Sequence, residues 1–328
     1  TPTIASFLIQ RKFWKKKSVI VATDGGTANI TQSLHGDEVR QTPRMGGMVV
    51  WLAALLTIIL FWAGAQVDGP VLEKLNFLSR GQTWLPVFTM LVGAIVGLVD
   101  DYFSVSEIYD QQAGGLSFWK RLLSVLIVAL IGAWWFYVKL EMTSVIVPFF
   151  GELNIGLLFI PFFILVMLGT YSGGVIDGLD GLAGGVFGII FSTYGFIAFL
   201  QNQIDLAAFC FVVVGALLAF LWHNIPPARF FMSETGIMAL TMTLAVVAFL
   251  TQQVLILPII AFPLVMSSAS SSIQLLSKKF RGGKRVFRVA PLHHHFQAMG
   301  WPASTVVMRY WIIGVMCALL GLVLVLLG

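Results

Sequence analysis

The sequence predicts an all-α polytopic membrane bundle, and two observations carry that reading. Of its 328 residues 58% are apolar and 11% charged, whereas a soluble domain carries about 45–50% apolar and about 25% charged residues. Nine apolar segments approach the ~20 residues needed to cross a hydrocarbon core: 46–65, 84–99, 122–138, 155–168, 182–200, 206–222, 236–251, 254–273 and 310–327. Backbone polar groups in lipid must be satisfied inside a helix or a closed barrel, and no barrel-like alternation appears, so these segments are read as helices. Composition excludes a soluble enzyme, a disordered chain and a disulfide-stapled secreted module. The two cysteines, Cys210 and Cys317, both fall inside apolar runs. The opening run Thr1-Pro2-Thr3-Ile4-Ala5-Ser6-Phe7-Leu8-Ile9 reads as the cytoplasmic end of a further helix, not as a signal peptide, because no cleavage site follows. That makes about ten helices in one membrane domain over 1–328.

The basic residues orient the bundle. Of the 20 Lys and Arg, 17 lie in one set of alternating loops (10–45, 100–121, 223–235 and 274–309), and only Lys74, Arg80 and Lys139 lie in the other. This is the positive-inside bias, which assigns the first set to the cytoplasm. The clustered acids, Asp100-Asp101, Asp177 with Asp180, and Glu234, fall on that same side. Chemistry is therefore sought on the cytoplasmic face. The net charge of +5 is read as orientation plus anion binding, with no nucleic-acid partner.

Four constellations stand there. In Gly97-Leu98-Val99-Asp100-Asp101-Tyr102 an apolar helix ends in two adjacent carboxylates. An acid at membrane depth costs about 2.5–3.5 kcal/mol, which a bound cation or a proton-transfer role offsets; the blander alternative is that both reach water at the helix end. In the glycine-rich run 169–181, Asp177 and Asp180 share one face if the segment is helical. Ordinary helix packing explains its glycines but leaves the acids unexplained. In His223-Asn224-Ile225-Pro226-Pro227-Ala228-Arg229-Phe230-Phe231-Met232-Ser233-Glu234-Thr235 a helix stops at two prolines. Phe231 there is either a stacking platform for a planar base or an interfacial anchor, and Ser233 or Thr235 is a candidate helix cap. The fourth, Lys278 to Phe296, joins a basic run to Pro291-Leu292-His293-His294-His295-Phe296. A basic run beside a membrane often serves headgroup attraction. Three consecutive histidines cannot all point one way, which disfavours a zinc site; cations facing carboxylates suit a phosphorylated substrate with Mg²⁺ on the carboxylate side.

Taken together, Thr42-Pro43-Arg44-Met45-Gly46-Gly47, Asp100-Asp101-Tyr102, Asp177-Gly178-Leu179-Asp180-Gly181, His223-Asn224 with Pro227-Ala228, Phe231-Met232 and Pro291-Leu292-His293-His294-His295-Phe296 resemble the polyprenyl-phosphate N-acetylhexosamine-1-phosphate transferases. The histidine motif resembles their muramoyl branch. The resemblance implies ten helices and attack of undecaprenyl phosphate on the β-phosphate of UDP-N-acetylmuramoyl-pentapeptide. The products would be UMP and lipid I, the first lipid-linked peptidoglycan precursor. It implies Asp100, with Asp101 beside it, for deprotonating or orienting the lipid phosphate, and Glu234 for Mg²⁺. It implies Asp177 in the active-site motif, Asp180, Asn224 and Phe231 around the uridine, and His293 near the diphosphate. His294, His295 and Gln274 would line the nucleotide-sugar site. A homodimer in the bacterial plasma membrane is implied as well.

The chain departs from that pattern at several places. Met232-Ser233-Glu234 stands where Met-Gly-Asp is usual, Tyr171 to Ile176 lack the expected asparagines, Val39 replaces a lysine, and Arg44 replaces a threonine. These departures keep open a divergent paralogue using another UDP-N-acetylhexosamine such as UDP-GlcNAc. A transporter, the remaining alternative, fits less well: the acids gather at one face and no paired broken helices are evident.

Overall fold

The structure is a computed structural model and describes residues 2–14, 42–67, 70–79, 81–106 and 115–328. Val39 and Arg40 lie outside the described residues. The architecture is helical. Helix α1 (Pro2–Gln10) is followed by α2 (Met48–Gly64), a short α3 (Pro70–Leu75), α4 (Trp84–Val105) and α5 (Phe118–Trp134), which runs on through a π turn to Lys139. A two-stranded antiparallel hairpin, β1 (Ser144–Val147) and β2 (Gly151–Asn154), pairs Ser144 with Asn154 and Val147 with Gly151. Then come α6 (Phe159–Ser172), a 3₁₀ turn (Gly173–Ile176), α7 (Leu182–Leu200), α8 (Ile204–Asn224), α9 (Ser233–Leu250), α10 (Leu257–Ile260), α11 (Phe262–Phe280), α12 (Leu292–Ala298) and α13 (Ala303–Leu327). Among the described residues, seven helices are long and apolar enough to cross a membrane, and α2 is a shorter apolar helix of 17 residues. Cys210 and Cys317 are both free.

Eight of the nine apolar segments thus form helices close to their expected bounds. The segment expected at 254–273 does not form one span. It splits into α10 and α11 at Ala261, with Pro258 and Pro263 at the start of each piece. Proline lacks the N–H a continuing helix needs, and its ring clashes with the preceding turn. The second piece then extends past the expected end, to Phe280.

Helix α9 is the hub. Of its 18 residues all but Glu234 and Leu250 are buried, the pattern of a helix enclosed on every side. It packs most extensively on α4, which presents Gly93, Ala94 and Gly97, a small-residue stripe that lets two helix backbones approach closely. A β-carbon at Gly93 would sit 2.7 Å from the Met238 carbonyl oxygen, and one at Gly97 would overlap the Glu234 carbonyl. Near Leu250, a phenylalanine cluster locks α5, α6 and α9 together; Phe163 and Phe249 lie 4.6 Å apart between ring centroids, and Phe136 and Phe163 5.1 Å. The opposite end of α9, Ser233 to Thr235, is where the motifs meet.

Candidate active site

A helix begins with N–H groups that have no partner inside the helix. At the start of α9 two of these are met by carboxylates from other elements. The Ser233 N–H donates to Asp177 Oδ2 at 2.9 Å, and the Thr235 N–H to Asp101 Oδ2 at 2.9 Å. Neither Ser233 nor Thr235 is itself the cap, contrary to one sequence expectation: the Ser233 hydroxyl accepts from Arg44 Nε at 3.2 Å instead. The positive end of the α9 dipole faces these two acids, a favourable placement for negative charge.

Arginines hold the rest of the acidic cluster. Arg121 Nη1 donates to Glu234 Oε1 at 2.7 Å, and its Nε lies 3.8 Å from Asp100 Oδ1. Arg44 Nε lies 3.8 Å from Asp101 Oδ1. Asp100 also accepts the Leu116 N–H at 2.7 Å, and Gly115 (φ +106°) lets that loop close over the carboxylate, since a β-carbon there would crowd Asp100 and Ser104. Both aspartates are buried, Asp101 completely. Among the described residues, Asp101 Oδ1 and Glu234 Oε2 are buried with no hydrogen-bond partner.

The Thr42-Pro43-Arg44-Met45-Gly46-Gly47 motif is stitched onto the α8–α9 loop by backbone hydrogen bonds. The Phe231 N–H donates to the Pro43 carbonyl, and the Gly46 and Gly47 N–H groups donate to the Phe231 and Met232 carbonyls, all at 2.8–3.1 Å. Gly47 abuts Gly236 so tightly that no side chain fits between them. This junction delivers Arg44 to Ser233. Phe231 is half-buried beside it, while Phe230 is fully buried.

Asn224 joins the two remaining loops. Its Oδ1 accepts the Gly181 N–H at 2.8 Å and its Nδ2 donates to the Phe230 carbonyl at 2.9 Å. Asp180 Oδ2 accepts the Ala228 N–H at 3.1 Å. The 177–181 turn is thereby fixed against 228–231. Asp177, half-buried in this turn, has its carboxyl pushed up to about 6, chiefly by burial. The Ser233 N–H and Arg44 pull it down, and the neighbouring Asp180 charge raises it.

The histidines divide as their consecutive positions require. His293 is fully buried, and its ring and that of His294 lie 4.4 Å apart, both over Gly178. A β-carbon at Gly178 would fall within 2.7 Å of His294 Nε2 and closer still to His293 Nε2, so glycine is needed for that approach. His294 Nδ1 pairs with Gln297 Oε1 at 2.8 Å. His295 points elsewhere, accepting the Arg288 N–H at Nδ1 (3.2 Å) against the Phe287 ring. Gln274 spends its amide on the backbone of the 286–287 loop: Oε1 accepts two N–H groups at 3.0 Å and Nε2 donates to the Phe287 carbonyl at 2.9 Å.

The structure therefore brings together Asp100, Asp101, Glu234 and Asp177, with Asp180, Asn224 and Phe231 beside them and His293 and His294 across Gly178. His295 and Gln274 sit at the 286–288 loop. Sequence reading passed over Arg121 and, though it placed Arg44 in a motif and noted it as a departure, gave it no role. The available signal was a cation at the start of an apolar segment, facing acids at the ends of others. Among the described residues no group of three acidic, histidine or cysteine side chains is arranged to hold a metal ion by itself. The two unpartnered oxygens of Asp101 and Glu234 are nevertheless hard donors of the kind Mg²⁺ takes alongside substrate phosphates and water.

Comparison with known proteins identifies the family. The sequence profile of glycosyl transferase family 4 matches residues 83–252. A phospho-N-acetylmuramoyl-pentapeptide-transferase of Pelagibacter ubique is 34% identical over 95% of this chain and 86% of its own length. Proteins of the same name from Ruegeria pomeroyi (37% identical; 86% of this chain, 79% of theirs) and Listeria innocua (34%; 87% and 84%) align as broadly. On a family profile covering half the chain and relatives covering most of it, the chain belongs to the phospho-N-acetylmuramoyl-pentapeptide-transferase family.

Proposed function

We propose that this protein transfers phospho-N-acetylmuramoyl-pentapeptide from its UDP-linked donor to undecaprenyl phosphate in the bacterial plasma membrane. A lipid-phosphate oxygen attacks the β-phosphorus, the bond from that phosphorus to the bridging oxygen breaks, and UMP leaves with the oxygen. The observation that carries this reading is the meeting of Asp100, Asp101 and Glu234 with two arginines at one end of the bundle, beside the His293–Gly178 contact.

In phosphoryl transfer the protein mainly positions reactants and neutralises developing charge. Asp100 is the residue to accept a proton from the lipid phosphate or to orient it, with Asp101 beside it. Asp180, Asn224 and Phe231 hold the uridine, His293 faces the diphosphate, and Asp177, His294, His295 and Gln274 shape the nucleotide-sugar site. Glu234, with Asp101, would hold Mg²⁺, which supplies charge neutralisation at the phosphates. A homodimer follows the family resemblance.

The test is UMP release by purified protein given Mg²⁺, undecaprenyl phosphate and UDP-N-acetylmuramoyl-pentapeptide, with UDP-GlcNAc as a parallel donor. Release with the muramoyl donor is expected. No UMP from either donor, while an active relative turns over alongside, overturns the reading; strong preference for UDP-GlcNAc overturns its donor.

A further inference from the structure

Arg44 and Arg121 serve the acidic cluster, and the proposed reaction gives no task to a second basic group at the end of α11. Lys278, Lys279, Arg281, Lys284, Arg285 and Arg288 fall within 11 residues, and no Asp or Glu stands anywhere from 235 to 328. All six but Lys278 are exposed. Among the described residues the Lys284 and Arg285 side chains make no hydrogen bond or ion pair.

The group is held together, not strung out. The Arg281 N–H donates to the Ser277 carbonyl at 2.8 Å and the Gly283 N–H to the Lys278 carbonyl at 2.9 Å. Gly282 (φ +59°) and Gly283 (φ +84°) supply the left-handed turn that this return needs. The Ser277 hydroxyl donates to the Lys284 carbonyl at 2.8 Å, and Gln274 accepts the Val286 and Phe287 N–H groups. Arg288 anchors the far end, its Nη1 donating to the Ala298 carbonyl at 3.1 Å. Gln274 and Ser277 are thus the buried face of the helix end. Ile273, Leu276 and Phe280 form a separate, exposed face, and 74% of Phe280 is uncovered. Lys279 Nζ lies 5.6 Å from the centre of the Phe280 ring, so an apolar body carries its charge at the edge.

Like charges fixed this closely repel one another, and no acid of the same segment offsets them. An anion outside the chain is the complement they lack, either a soluble phosphate or a phosphorylated headgroup. The exposed apolar face decides between the two. A soluble phosphate would leave Ile273, Leu276 and Phe280 in water, whereas a bilayer receives them below the plane of its headgroups. The lysine and arginine bias assigns this end of α11 to the cytoplasmic side, where the leaflet surface is negative and attracts basic segments beside a span.

We propose that the end of α11 and the 281–288 loop dock on anionic phospholipid headgroups, with Leu276 and Phe280 seated at the edge of the hydrocarbon. The ligand is a bulk membrane lipid, not a reactant, so this surface stands whether or not the proposed reaction does.

The experiment is equilibrium binding of dioleoylphosphatidylglycerol and dioleoylphosphatidylcholine to the full chain in non-ionic detergent, with bound lipids counted by native mass spectrometry. Each cation is worth roughly fivefold in association at an anionic surface, so wild type should prefer phosphatidylglycerol roughly 30-fold or more. Lys284→Gln combined with Arg285→Gln should weaken phosphatidylglycerol roughly 25-fold and leave phosphatidylcholine within about twofold. Lys120→Gln combined with Arg229→Gln removes two exposed cations elsewhere on the same side and should change either lipid by less than about twofold. Ser277→Ala keeps every charge but releases the loop, and should weaken phosphatidylglycerol severalfold. Equal wild-type affinity for the two lipids, unchanged binding in the 284/285 variant, or an equal loss in the 120/229 variant overturns the proposal. Displacement of phosphatidylglycerol by millimolar inorganic phosphate assigns the surface to a soluble anion, and displacement by an acidic peptide assigns it to a protein partner; either overturns it. Binding is read without turnover, so a chain that releases no UMP still decides the question.

Discussion

Replacing Gly97 by alanine tests whether the α4–α9 contact sets the geometry of the carboxylates. A β-carbon at position 97 would lie 2.7 Å from Thr235 Cα and overlap the Glu234 carbonyl. Carbon atoms settle at about 3.5–4.0 Å, so the helices must part by about 1 Å. The obstacle is backbone, not a flexible side-chain tip, and cannot swing aside. Overpacking of this kind costs about 1–3 kcal/mol. The same shift stretches the 2.9 Å bond from the Thr235 N–H to Asp101 out of range and moves Glu234 relative to Asp100. A misplacement of about 1 Å in a reacting site is worth on the order of 10²-fold in rate. Gly93→Ala is the control. Its β-carbon meets the Met238 carbonyl at 2.7 Å, one turn further from the acids, so it should cost similar stability and much less rate. UMP release and thermal unfolding are measured on the same detergent preparations. If Gly97→Ala keeps more than half the wild-type rate, or if Gly93→Ala loses as much rate as Gly97→Ala, the glycine contact does not set the site's geometry.

Three further outcomes are expected. Asp100→Asn and His293→Ala should each lower turnover by about 10²–10⁴-fold, the span of general acid–base contributions, with both variants still folded at the assay temperature; near-normal rates in either remove that residue from its assigned role. Arg121→Ala removes the guanidinium that bonds Glu234 and lies beside Asp100. The pair is partly exposed, so solvent discounts its worth to roughly 1–2 kcal/mol of stability, seen as a lower unfolding temperature that Arg121→Lys partly restores. The Asp177 carboxyl stands at about 6 in the fold against about 3.9 in an unfolded chain, so the folded state binds the proton first and gains stability as pH falls from 6 towards 4. Asp177→Asn removes the ionised group; its unfolding temperature should exceed wild type at pH 7.5, and the difference should shrink over that window. A difference that does not change with pH contradicts the assignment.

Much of this was legible in the sequence because the physics involved is local. Crossing a bilayer demands long apolar runs, so eight helices followed from reading along the chain, and the lysine and arginine bias said on which face to look for chemistry. The 254–273 segment misled because apolarity was read without its prolines: Pro258 and Pro263 break it, and α11 continues as a serine-rich helix that no hydropathy run marks. The hairpin at 144–154 is too short for a periodic signal. At the site, the acids and histidines were visible because their cost in a membrane needs a reason. Their partners were not. Arg44 meets Ser233 across 189 positions and Arg121 meets Glu234 across 113, and no spacing rule links residues so far apart. The caps were missed for the same reason. Ser233 and Thr235 have the right side chains to cap α9 locally, yet Asp177 and Asp101 do so from elsewhere.

Those caps explain how the core and the site are built from one set of contacts. A carboxylate beside a helix start gains from the dipole only if it comes within hydrogen-bond reach of the first N–H groups. Asp101 reaches Thr235 because Gly93 and Gly97 let α4 lie against α9, and Asp177 reaches Ser233 because Asn224 pins the 177–181 turn. The result is a concentration of negative charge that would repel itself. Arg44 and Arg121 offset it: with Asp100, Asp101 and Glu234 ionised and both arginines charged, the five side chains carry a net −1. A small residual charge fits the proposed function, in which the site would admit a cation and two phosphorylated substrates in turn. A cluster of bare carboxylates would exclude the phosphates, and a fully neutral one would give a divalent ion little to bind. Glu234 occupies the pivotal position, since one of its oxygens is held by Arg121 and the other is buried with no hydrogen-bond partner among the described residues. In the proposed reading, a cation at that second oxygen would share the Glu234 carboxylate with Arg121.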